Sequence, residues 1–214
     1  MKIHRYPLGQ MQANCYILEQ EDSCLIIDPT DEAGFILEKI LKKHLTLVGL
    51  IATHGHFDHI MAVGEIQLTL AAQGIDLPLY IHAKDTFLLK RVVETAKHFL
   101  NYEPAVIPIQ STKELSTGDL KIQHFEFQII HTPGHTPGSC CFYFKNDNVL
   151  FTGDTLFKMG IGRYDFSYSD KDELKKSLKR IFTLPEDTIF YSGHGEESTL
   201  EDEKENATFM IDPF

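Results

Sequence analysis

Short apolar and β-branched runs open the chain. Lys2 to Arg5, Cys15 to Leu18 and Cys24 to Ile27 have this character, and the polar Glu-Gln-Glu-Asp-Ser between the second and third reads as a turn. The pattern predicts an antiparallel start to a sheet. Asp-Pro-Thr-Asp (28–31) then combines a proline stop with capping residues, ahead of a helix whose apolar positions Phe35, Ile36, Ile40 and Leu41 recur at helical spacing. A buried strand at Leu47 to Ala52, a helix from His59 to Ala72 and a strand at Leu79 to His82 follow, so strand and helix alternate through the first half. Asn101 to Ser116, with two prolines and few periodic positions, reads as a loop. From Leu120 onwards strands succeed one another: Lys121 to Phe127, Gln128 to His131, Cys140 to Phe144 and Val149 to Phe151. A helix from Asp170 to Phe182 and a strand from Thr188 to Tyr191 complete the set. With no internal repeat, low-complexity tract or linker, the pattern predicts one domain over residues 1–214.

Composition narrows the classes. A chain of 214 residues, 43% apolar, can bury a substantial core, which excludes disorder, collagen and a disulfide-stapled mini-protein. Twenty Lys and Arg against 31 Asp and Glu give 20 − 31 = −11, a balance that opposes phosphate backbones and argues against a nucleic-acid partner. Four cysteines form no Cys-x-x-Cys pair, and the opening Met-Lys-Ile-His-Arg-Tyr-Pro lacks the apolar run of a signal peptide, so a reducing cytoplasm is the expected compartment. No window approaches the roughly 18 to 20 apolar residues that span a bilayer, so no membrane partner is expected. Cys140 and Cys141 read as small core residues, and the acidic run at 196–205 as a solvated surface or helix.

The chemistry is concentrated in Thr-His-Gly-His-Phe-Asp-His (53–59), which places three imidazoles and a carboxylate within six residues behind an apolar strand. His54 and His56, two apart, can turn to one ion from a loop backbone, while Asp58 and His59, at the start of the next helix, can face a second. His135, Asp154 and His194 each follow a predicted strand and are flanked by glycine, where the backbone turns sharply and brings a side chain to the sheet edge. Together these are seven N and O ligands without thiolate, a set suited to zinc, iron or manganese and to an open catalytic site rather than a closed structural one. Two ions a few Å apart can share a hydroxide, because coordination lowers the pKa of water towards about 7, and hydrolysis of an activated carbonyl is the economical use of it. His82 and His131 end strands near these loops and are candidates for an outer shell. His4, His44, His98 and His124 need no such role.

These motifs also carry a resemblance. His-Gly-His-Phe-Asp-His, His-Thr-Pro-Gly-His-Thr-Pro-Gly-Ser (131–139), Gly-Asp-Thr-Leu-Phe (153–157) and Gly-His-Gly (193–195) resemble the metallo-β-lactamase superfamily over nearly the whole chain. The opening Pro-Leu-Gly-Gln-Met-Gln-Ala-Asn-Cys-Tyr-Ile-Leu (7–18) and Gly-Ile-Gly-Arg-Tyr-Asp-Phe (160–166) are most similar to its short bacterial glyoxalase II-type proteins. The resemblance implies an α/β fold, a four-layer αββα sandwich of two mixed sheets flanked by helices, with the site at one sheet edge. It implies a dinuclear hydrolase of hydroxyacylglutathione or a related small-molecule thioester, with two divalent ions, zinc foremost. By position, His54, His56 and His135 would hold one metal, Asp58, His59 and His194 the other, and Asp154 would bridge them, with Asp58 also orienting the hydroxide. Arg163 stands where the family often has a basic residue near the substrate; alternatively it is a surface arginine paired with Asp165. Full-length glyoxalase II carries a C-terminal helical region that helps hold glutathione, whereas 20 residues follow His194 here, so weak selectivity for the thiol half is expected. Gly-Arg-Tyr-Asp-Phe also resembles the persulfide dioxygenases, which would use one iron on His54, His135 and Asp154. A non-enzymatic metal-binding protein is the third alternative.

Overall fold

The computed structural model describes residues 1–211; the terminal Asp-Pro-Phe (212–214) lies outside them, as do the side chains beyond Ala207. The first half contains β1 (Lys2–Leu8), β2 (Ala13–Gln20), β3 (Ser23–Ile27), α1 (Ala33–Lys42), β4 (Thr46–Ile51), α2 (Phe57–Ile60), α3 (Val63–Ala71), β5 (Leu79–His82), α4 (Thr86–Leu89), α5 (Val92–Leu100) and β6 (Thr112–Leu115). Its strands form one sheet in chain order. β1, β2 and β3 pair antiparallel through short turns. From β3 onwards the pairing is parallel, and each crossover runs through helix, as parallel neighbours require.

The second half contains β7 (Gly118–Ile122), β8 (Phe125–His131), β9 (Cys140–Phe144), β10 (Val149–Gly153), the small hairpin β11 (Leu156–Phe157) and β12 (Gly160–Ile161), α6 (Lys171–Ile181), β13 (Ile189–Ser192), β14 (Ser198–Thr199) and α7 (Leu200–Ile211). The order β14-β13-β10-β9-β8-β7 makes a second sheet, parallel only at β10–β13, where α6 lies in the crossover.

Strand alternation sorts side chains into three cores. Cys15, Ile17, Cys24 and Ile26 point to one face of the first sheet, where they meet Ile36, Ile66 and Ala96 of its helices. Tyr16, Leu18, Leu25 and Ile27, their immediate neighbours, point the other way and meet Phe125, Phe142 and Phe151 of the second sheet. The outer face of that sheet presents Cys141, Leu150 and Phe190 to Leu174, Leu178 and Leu200 of α6 and α7. The layers therefore run helix, sheet, sheet, helix, an αββα sandwich. Cys140 faces the inter-sheet core and Cys141 the outer one, and all four cysteines are buried and free.

Several expectations change. The helix expected over His59 to Ala72 is two, because the Ala62 N–H bonds the Pro29 and Thr30 carbonyls rather than continuing the ladder from α2. Leu41 is 74% exposed: Ala33, Ile36 and Ile40 define the buried face of α1. The strand expected at Lys121 to Phe127 is broken by a turn at Gln123, whose φ of 49° is left-handed. Within the expected loop at 101–116, Thr112–Leu115 pairs with β5; three of its four side chains are exposed, so no apolar pattern marked it. Glu203, in the acidic run, is buried, accepting from the Met159 N–H at 2.8 Å and the Ser198 hydroxyl at 2.8 Å. Among the described residues no helix is long and apolar enough to cross a membrane.

Candidate metal centre

The seven singled-out residues converge from both sheets onto one edge of the sandwich. His54 and His56 lie in the loop after β4, Asp58 and His59 in α2, His135 between β8 and β9, Asp154 after β10 and His194 after β13. They form three overlapping groups, His54–His56–His135, His54–His59–Asp154 and Asp58–His59–His194, in each of which the ligand atoms lie within 4.8 Å of one another. Asp154 stands between, with Oδ2 3.4 Å from His135 Nε2 and 3.9 Å from His194 Nε2, and Oδ1 3.5 Å from His59 Nε2.

Outer hydrogen bonds decide which nitrogen each ring turns inward. Asp28, at the end of β3, accepts from the Thr53 N–H (2.7 Å), the Thr53 hydroxyl (2.7 Å) and His59 Nδ1 (2.9 Å). With its proton given to Asp28, the Thr53 hydroxyl accepts from His54 Nδ1 at 3.0 Å. His135 Nδ1 donates to the Arg163 carbonyl at 2.9 Å. His54 and His135 thus present an unprotonated Nε2, and His59 also turns its Nε2 inward. His56 instead has Nε2 2.8 Å from the Tyr168 hydroxyl and presents Nδ1, which lies 3.0 Å from both His54 Nε2 and His135 Nε2.

Three inward lone pairs at this spacing repel unless a cation sits among them. Beside them, His59 Nε2 and Asp154 Oδ1 are buried without a hydrogen-bond partner. Orphaned donor atoms of this kind in a polar pocket fit a metal ion. The electrostatics agree. Burial first, then neighbouring imidazoles, hold His54 far below the ordinary histidine range; burial and the His135 charge push His56 down to about 3. Both are neutral, the form a metal requires. Burial works against charge on His59, but the Asp154, Asp58 and Asp28 carboxylates outweigh it and push its pKa up to about 10. This half of the cluster attracts a cation even when the cation is a proton.

Asp85 ties two of the ligand loops together. Fully buried, it accepts from the Gly55 N–H (2.9 Å), the Thr136 hydroxyl (2.7 Å) and the Gly138 N–H (2.6 Å). Gly193 is required by close approach: a Cβ there would overlap the Asp154 carboxylate and come within 2.7 Å of His59 Cε1. The His194 loop is clamped to the first sheet by the Asn14 N–H on the Gly193 carbonyl (2.7 Å) and the Tyr16 hydroxyl on the Ser192 carbonyl (2.6 Å).

Asp28, Asp85 and Tyr168 were not singled out in the sequence. Asp28 carried a usable signal, since it follows a strand as Asp154 does, but Asp-Pro-Thr-Asp reads as a helix cap; in fact no side chain caps α1. Asp85 and Tyr168 carried none. His82 and His131 stack on each other, centroids 4.3 Å apart, and among the described residues no hydrogen bond joins either to the seven. Arg163 lines the cleft, yet its guanidinium is paired bidentately with Asp165 (2.9 Å twice) over the Phe166 ring, and its carbonyl is the group that touches a cluster residue.

Above the cluster lies a cleft of about 280 Å³ whose walls include Met11, Phe57, Phe99, Phe157 and Phe166. Because the Tyr168 hydroxyl fixes the His56 tautomer, Tyr168→Phe is expected to weaken metal binding roughly tenfold, the lower end of what loss of such an outer partner costs. Competition with a coloured chelator measures this; unchanged affinity would show that His56 is oriented by packing alone.

Two sheets with a His/Asp cluster at their shared edge define a metallo-hydrolase architecture, and the chain belongs to the metallo-beta-lactamase superfamily, whose family model matches residues 8–194. It is 35% identical over 212 residues to the probable metallo-hydrolase YqgX of Bacillus subtilis, covering 98% of both chains. It is also 35% identical over 215 residues to the hydroxyacylglutathione hydrolase GloC of Haemophilus influenzae, again covering 98% of both. Among solved structures, TTHA1623 in a di-iron-bound form superimposes with a TM-score of 0.85 at 33% identity, over 96% of this chain and 99% of that one.

Proposed function

We propose that this protein hydrolyses a small-molecule thioester at a pair of divalent metal ions. The observation that carries the reading is the adjacency of the three-imidazole group and the Asp58–His59–His194 group with Asp154 between them, on the floor of a largely apolar cleft. His54, His56 and His135 would hold one ion, Asp58, His59 and His194 the other, and Asp154 both. Zinc suits this donor set, and the di-iron-bound neighbour keeps iron beside it. Bound there, divalent ions supply Lewis acidity, polarising a carbonyl and lowering the pKa of water towards about 7. Asp58, which lines the cleft, orients the attacking water. The phenyl walls exclude bulk solvent from the carbonyl and strengthen the electrostatics beneath it. A thiolate leaves without a dedicated proton donor, its pKa being only about 8.5. The GloC relative supports a hydroxyacyl thioester as the class.

Purified protein should contain or take up two equivalents of zinc or iron, hydrolyse lactoylglutathione, and lose that activity to a chelator with recovery on re-addition of metal. Oxygen consumption with glutathione persulfide and iron, without hydrolysis of any thioester, would replace this reading with the dioxygenase chemistry.

A further inference from the structure

A second depression, about 690 Å³ in volume, adjoins the metal-side cleft. Thr95, Phe99, Arg163, Phe166 and Tyr168 line both, so the two are one continuous channel. Their characters differ. The smaller is walled by phenyl rings; the larger adds Arg91 just ahead of α5 and Glu94, Lys97 and His98 along it, cations outnumbering the one acid in a chain whose overall charge is −11. We propose that this groove is the subsite for the leaving half of the substrate, and that Arg91 selects a thiol carrier bearing a carboxylate. The inference rests on the thioester reading.

Volume and polarity assign the halves. A compact acyl group fits the small apolar cleft, and the larger polar groove fits a bulkier polar carrier. Among the cations there, Lys97 is held by Glu103 at 2.7 Å and Arg163 by Asp165 at 2.9 Å. The Arg91 guanidinium makes no hydrogen bond among the described residues and meets Glu94 only at 3.5 Å. Its planar fork is therefore available for a bidentate carboxylate. With 49% of its side chain exposed, Arg91 contributes a modest screened attraction, which keeps the selectivity within about tenfold.

The test compares, on the metal-loaded protein, thioesters of one acyl group with a cysteine tripeptide carrying two free carboxylates and with the same tripeptide fully amidated. Wild type should show a KM several-fold lower for the carboxylate form. Arg91→Ala should raise that KM about five- to tenfold and move the amidated form less than twofold, and Arg91→Lys should recover part of the loss. Equal effects on both forms, or none, overturn the proposal. Calorimetry with the two S-methylated tripeptides separates the subsite from the chemistry. If no thioester is hydrolysed the hydrolase reading fails, yet Arg91-dependent binding of the carboxylate form still upholds the subsite, and charge-blind or absent binding overturns it.

Discussion

Asp58→Ala is expected to reduce thioester hydrolysis at least about a hundredfold in a protein that remains folded. The carboxylate lies 3.2 Å from His194 Nε2 and 3.7 Å from His59 Nε2, so its removal dismantles the second ligand group and frees the attacking water from its orienting partner. Loss of ordered placement and of a preorganised charge each costs rate steeply, on the order of a hundredfold. Structure is spared because Asp58 caps nothing: α2 begins at Phe57 with an extended His56 and no side-chain cap bond. Alanine is also the better helix former. Steady-state kinetics beside circular dichroism separate the two effects, and near-normal turnover would mean that the Asp58–His59–His194 group is dispensable.

Asp85→Ala should act in the opposite sense, on stability before chemistry. The residue is 0% exposed, and its removal strands two backbone N–H groups, of Gly55 and Gly138, while the Thr136 hydroxyl keeps the Ser139 hydroxyl at 2.7 Å. Each unsatisfied buried donor costs about 1–3 kcal/mol, so a loss of at least about 2 kcal/mol is expected. At roughly 2–4 °C per kcal/mol for a chain of this size, the melting temperature should fall by about 4–8 °C or more. Metal affinity should fall with it, since the two loops that Asp85 joins carry His54, His56 and His135. A shift below about 2 °C in a thermal melt would show that the loops hold their positions without it.

How far the site could be read beforehand follows from chain distance. His54, His56, Asp58 and His59 announce themselves because four ligands crowd one short stretch, and His135, Asp154 and His194 because each follows a strand and adjoins glycine. The residues that aim those ligands do not cluster: Asp28 meets His59 across 31 positions, Asp85 meets Gly55 across 30, and Tyr168 meets His56 across 112. A lone aspartate or tyrosine in a polar loop has the composition of any surface loop until packing brings it inside. Arg163 shows the reverse. Its motif left open a substrate contact or a surface pair with Asp165, and the structure pairs its guanidinium with Asp165, whereas Arg91, just ahead of α5 and in no motif, meets Glu94 only at 3.5 Å beside the neighbouring groove.

Periodicity alone was enough for β2 to β5 and α1 and for the strand-rich second half, though not for α4, α5 or β6, because alternation at period two and recurrence near 3.6 are consequences of local backbone geometry. The candidate ligand set was equally local, a matter of residue type and spacing. Only the tertiary structure decided that Tyr16 and Leu18 face the second sheet while Cys15 and Ile17 face helices, that residues 112–115 close the sheet edge, and which nitrogen of each imidazole turns inward. Each of these depends on a partner brought near by sheet pairing and layer packing from elsewhere in the chain, and a hydrogen bond or buried face has no signature in sequence until its partner is in place.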